Sequence, residues 1–169
     1  MKDEDSDWES RVATLWAELD RSDESEFLSR MAALAAELPP GSGIGLFECA
    51  AAFDSTGHPD RAVPLYEAAL QAGLDGERRR RAVIQMASSL RNLGDPEAAV
   101  RLLTAEAERT SDALDGAVAT FLALALVDLG REREAVAVAL KAISSYLPRY
   151  KRSVQRYAAA LTEGSQSQS

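Results

Sequence analysis

The sequence predicts an all-α fold: a stack of antiparallel helical hairpins closed by a C-terminal capping helix. Three observations carry this. The pair Gly/Ala, five residues apart, occurs as Gly57/Ala62, Gly94/Ala99 and Gly130/Ala135, spaced 37 and 36 residues. A period of that length marks repeated helical hairpins. Apolar residues recur at steps of three and four around each glycine, and Ala and Leu outnumber Val and Ile, so strand signals are absent. The 169 residues suit one domain with a sizeable core.

Residues 1–6 are acidic and expected to be disordered. Trp8, Val12, Leu15, Trp16 and Leu19 mark an amphipathic first helix, interrupted at Ser22–Ser25. A second helix is expected from about Glu26 to Leu38, with Phe27, Met31, Leu34 and Leu38 on one stripe, ended by Pro39, Pro40 and Gly41. This pair, residues 7–38, lacks the Gly/Ala turn and reads as a degenerate N-terminal repeat.

Three hairpins follow at about 43–72, 76–109 and 113–146. Seven residues before each glycine stands a small residue (Ala50, Ala87, Ala123), and four before it a large one (Phe53, Leu90, Leu126). The small residues let two helices approach closely, so Ala50 is expected opposite Ala62. Each glycine ends a helix in a left-handed conformation. Pro59 and Pro96 then stand at the first helical position, after a poor N-cap (His58) and a good one (Asp95). Pro64 lies inside the next helix and calls for a bend or a later start. Glu106 breaks the second repeat's apolar pattern. Residues 148–162 carry Tyr150, Val154, Tyr157 and Leu161 on a final helix, and 163–169 form a polar tail expected to be disordered.

The spacing of small, aromatic and glycine positions resembles the tetratricopeptide repeat, with a period somewhat above the usual ~34 residues. More narrowly, "FECAAAFDSTGHPDRAVPLYEAALQAGLDGERRRRAVIQMASSLRNLG" and "LPRYKRSVQRYAAAL" are similar to the uncharacterised bacterial group 5 branch of that family, over roughly residues 40–162. The resemblance implies a short right-handed superhelix and a non-catalytic scaffold that binds a peptide or protein segment in a concave groove. No catalytic residue carries over. The groove positions it implies are Phe47, Ala51 and Asp54 in the first hairpin, with Ile44 and Ser55. The second supplies Arg81, Ile84, Ser88, Arg91 and Asn92. The third supplies Thr120, Leu124 and Asp128, with Ala117 and Val127. Members with a carboxylate clamp place Lys and Asn at several such positions; here the residues are mostly small or apolar.

The arginines of the second hairpin suit carboxylate contacts. On one reading Arg81, Arg91 and Asn92 grip an acidic or C-terminal segment. On the other, which the sequence favours, Arg91 pairs with Asp54 or Asp128 and Arg78–Arg80 are solvated. An alternative function is self-association as a homodimer through the terminal helices.

Composition excludes several classes. The net charge of −8 weighs against nucleic acid as a partner for the whole surface. The charge is uneven: residues 2–37 hold eleven acids against four bases, whereas 135–162 hold no acid but Lys141, Arg149, Lys151, Arg152 and Arg156. Tyr150 and Tyr157 interleave with these cations as base-stacking residues would. The favoured reading instead turns the tyrosines onto the preceding hairpin. His58 is the only histidine and Cys49 the only cysteine, so no metal or cofactor site is expected; Cys49 reads as a buried apolar residue. No apolar stretch is long enough to span a membrane. The acidic N-terminus has no leader-like apolar core, and a cytoplasmic location is the expectation.

Overall fold

The structure, a computed structural model, describes residues 2–109 and 111–163. The tail from residue 164 onward lies outside the described residues. Among these, all regular structure is helical: α1 Lys2–Ala17, α2 Glu24–Ala36, α3 Gly43–Ser55, α4 Pro59–Gln71, α5 Gly76–Asn92, α6 Pro96–Arg109, α7 Asp115–Asp128, α8 Glu132–Ser144 and α9 Lys151–Glu163. A 3-10 turn, Leu19–Arg21, links α1 and α2. The chain forms two compact units, Met1–Ala82 and Val83–Ser169, divided within α5.

The three repeat glycines end their helices as the spacing requires. Gly57, Gly94 and Gly130 have φ of 84°, 87° and 68°. In each case the N–H after the glycine reaches back five residues: His58 to Phe53 O at 2.8 Å, Asp95 to Leu90 O at 2.9 Å and Arg131 to Leu126 O at 2.9 Å. The glycine N–H itself bonds the carbonyl three residues back. This paired closure satisfies the last helical carbonyls and turns the chain into the next helix. Asp95 then caps α6, accepting from Ala98 N at 2.9 Å; His58 makes no such bond to α4. A side chain at a left-handed position costs ~1–2 kcal/mol. Gly94→Ala is therefore expected to lower unfolding free energy by about that amount in a urea titration, although a Cβ there meets nothing within 4 Å. An unchanged midpoint would remove the conformational argument.

In the first unit α1 packs on α2, α2 on α3 and α3 on α4. Leu15, Phe27, Met31 and Ala52 form a buried cluster flanked by Trp16, Leu19, Leu28 and Leu34. Trp8 is buried, and its indole N–H donates to Leu34 O at 2.9 Å. Two helix starts differ from the sequence reading. Helix α1 begins at Lys2 instead of residue 7, and its first half is supported by Arg11, which bonds Asp7 one turn back at 3.0 Å. Helix α2 begins at Glu24, because Asp23 caps it by accepting from Ser25 N at 2.9 Å. Helix α4 starts at Pro59 as expected, so the later start that Pro64 suggested does not occur.

In the second unit α6 packs on α7, α7 on α8 and α8 on α9. Ile84, Ala87, Ala99, Leu103, Val118 and Ala125 form its core, with Phe121 and Leu122 against it. Glu106, which breaks the apolar pattern, occupies a buried position all the same.

Two expectations about α9 fail. The helix begins at Lys151, not 148, because Tyr150 takes a left-handed backbone with φ 66°. Its tyrosines do not face the preceding hairpin: Tyr150 is 77% exposed and Tyr157 64%. Buried Ala158 and half-buried Val154 and Leu161 supply the packing stripe, at steps of four and three.

Candidate interaction surface

The residues implied as a binding groove separate into core and surface. In the first unit Phe47 and Ala51 are fully buried, so they are core residues and present nothing to a ligand. The Phe47 ring lies 6.3 Å from that of Tyr66, and the Arg81 guanidinium lies 5.2 Å from the Phe47 centroid. Tyr66 is buried, and burial raises its hydroxyl above the phenol range; the charge of Asp54 and the hydrogen bond Tyr66 donates to it add to this, with Arg81 opposing. Asp54 and Arg81 are half-buried parts of this cluster. Ile44 is at the surface, 36% exposed.

Beside Phe47 the structure places a residue that the sequence reading passes over. Glu48 is 3% exposed. Its carboxylate accepts from Trp16 Nε1 at 2.9 Å and from Arg78 Nε at 3.0 Å, and Arg78 reaches Glu9 with its other arm. Burial pushes the Arg78 guanidinium down, but the hydrogen bonds to Glu9 and Glu48 outweigh it and hold it above its ordinary value. Thus Arg78 is paired and Arg80 is buried; neither is solvated. The signal for Glu48 was a carboxylate inside the apolar run from Leu46 to Phe53. Next to it, Cys49 is half-buried, and burial, then the charge of Glu48, pushes its thiol up.

Where α3 begins, an open depression of about 650 Å³ is lined by Ser42, Ile44, Leu74, Asp75, Arg78 and Arg81, among others. It presents both signs of charge. His58, at the start of α4, pairs with Glu24 through Nε2 at 2.6 Å.

In the second unit Ile84 is 5% exposed and belongs to the core, a further correction. Ser88 is half-buried and Asn92 exposed. Arg91 and Asp128 are brought together as an ion pair through Nε and Oδ2. That pairing is one of the two the sequence proposed for Arg91. Thr120, Leu124 and Val127 stand at steps of four and three on one face of α7. Leu124 is 42% exposed and Val127 50%. Thr120 is exposed, its hydroxyl donating to Gly116 O at 2.7 Å.

This geometry is a ledge of apolar side chains with an ion pair at one end. Among the described residues no group of three or more His, Cys, Asp and Glu could hold a metal ion. Nor, among the described residues, is any helix long and apolar enough to cross a membrane.

The family model described as Tetratrico peptide repeat matches residues 43–161. The chain belongs to the tetratricopeptide repeat family. Its match begins at α3 and ends within α9, covering the three glycine-closed hairpins. Repeats of this family generally mediate protein–protein interaction, and the family is in general a non-catalytic scaffold. No curated protein and no solved structure gives a significant match to this tetratricopeptide repeat protein.

Proposed function

We propose that the chain is a non-catalytic scaffold that captures a peptide or protein segment on the exposed face of α7. The exposed apolar side chains of Leu124 and Val127, in line with Thr120, carry this reading. A surface helix buries such a stripe or keeps it polar. Leu124 and Val127 instead stand half in water at the positions where the family resemblance implies ligand contact. Arg91 is engaged by Asp128, so the captured segment is anchored by apolar side chains, and the ion pair borders it. Complete burial of two such side chains in a complex is worth ~2–4 kcal/mol, enough to dominate a modest affinity.

Selection of displayed peptides on the full chain tests this. The expected result is a set sharing apolar anchors whose affinity falls at least about tenfold for Leu124→Ser/Val127→Ser, roughly the loss of one buried anchor. Selected peptides that bind this variant as well as the parent would contradict it.

A further inference from the structure

A second surface, independent of α7, surrounds the start of α9. Tyr146, Tyr150 and Tyr157 are 76%, 77% and 64% exposed, all within a stretch of twelve residues. Arg149, Lys151, Arg152 and Arg156 lie among them, and all four are exposed. We propose that this surface binds single-stranded nucleic acid, its tyrosines stacking on bases and its cations meeting phosphates.

The Tyr146 hydroxyl approaches Gly116 of α7, but folding gives no reason for the other side chains. None of the four cations makes an ion pair among the described residues, and no acid occurs between Ala135 and Thr162. Lys151 and Arg152 stand in the first turn of α9, where the helix dipole disfavours positive charge. Tyr150 holds a left-handed backbone that bulky residues rarely adopt. Three large aromatics remain in water while Val154, Ala158 and Leu161 do the packing.

Tyr150 and Arg149 belong to the segment just before α9, whereas Tyr157 lies on the helix itself. Arg152 and Arg156, four residues apart, share one face of α9. Aromatic faces beside a cationic track are what a sequence-tolerant single-strand surface uses. An acidic peptide would engage the cations, but its Asp and Glu side chains offer the tyrosine rings no aromatic face to stack on. A second copy of this chain is a weaker occupant, because six acids of its N-terminal helices already have a partner. Asp7 and Glu37 pair with Arg11, Glu9 with Arg78, Glu18 and Glu26 with Arg30, and Glu24 with His58. The net charge of −8 does not oppose this surface either. All of it resides in residues 1–82, while residues 83–169 hold ten acids and ten bases.

The test is fluorescence anisotropy of a labelled oligouridylate of about 12 nucleotides titrated with the full chain at low salt. Binding is expected, weakening steeply as salt rises. Tyr150→Ala/Tyr157→Ala should weaken it about tenfold, whereas Tyr150→Phe/Tyr157→Phe should bind as the parent does. Arg152→Ala/Arg156→Ala should weaken it and flatten the salt dependence. Circular dichroism shows that each variant is folded. Absence of binding at low salt overturns the proposal. So does displacement of the oligonucleotide by poly-glutamate with no loss in the Tyr→Ala variant, which would make this an acidic-protein surface. A salt-sensitive dimer in sedimentation that the same Tyr→Ala variant abolishes would assign the face to a second copy and overturns it equally.

Discussion

Replacing Glu48 by alanine is expected to destabilise the protein by about 3 kcal/mol, the lower end of the range for breaking a buried charge pair. The carboxylate is 3% exposed and is the common acceptor for Trp16 and Arg78. Its removal leaves an indole N–H and one arm of a half-buried guanidinium without acceptors. Arg78 keeps Glu9, which limits the loss. Trp16 belongs to α1, Glu48 to α3 and Arg78 to the start of α5, so the interaction seats the degenerate N-terminal helix on the first hairpin. Urea unfolding followed by tryptophan fluorescence measures this, since Trp16 reports on the contact itself. Glu48→Gln keeps an acceptor for one partner and should lose less than Glu48→Ala. Equal midpoints for the parent and Glu48→Ala would show that the buried carboxylate holds nothing together.

Phe47→Ala is expected to cost ~3–5 kcal/mol, the usual loss for deleting a fully buried phenyl ring. The ring packs with Tyr66 and lies beneath Arg81, so its loss opens a cavity that removes support from both. The effect separates two readings of the same residue. A groove position would lose ligand affinity and keep its stability. The structure makes Phe47 a core position, so stability falls while peptides selected on the parent still bind the folded fraction. Calorimetry and a binding titration on the same preparation give both quantities.

These neighbours show what was legible in the sequence. The turns were, because a left-handed glycine that closes a helix is a local device: Gly57, Gly94 and Gly130 do so with bonds spanning at most five residues. Helix identity was legible for the same reason, through apolar steps of three and four. Burial of a particular face was not. Phe47, Ala51 and Ile84 stand at positions that the family resemblance implied as surface, but the neighbouring helices close over them. Leu124 and Val127, implied by the same resemblance, remain exposed. Periodicity says which residues share a face, and only packing decides whether that face is covered. The charges divide likewise. The Arg91–Asp128 pair was foreseen as one of two options, whereas the partners of Arg78 come from thirty and sixty-nine residues away and leave no local trace. Tyr150 and Tyr157 failed in the opposite direction: aromatic residues on an amphipathic helix were expected to be its packing stripe, and the smaller Val154, Ala158 and Leu161 took that role.

The central functional claim is that the exposed face of α7 is the capture surface. Mapping a selected peptide by amide chemical-shift perturbation on the isotope-labelled full chain tests it most directly. The largest changes are expected on Thr120, Leu124 and Val127, spreading to Arg91 and Asp128. Changes centred on the α9 tyrosines or the depression beside Arg81, with α7 silent, would contradict it.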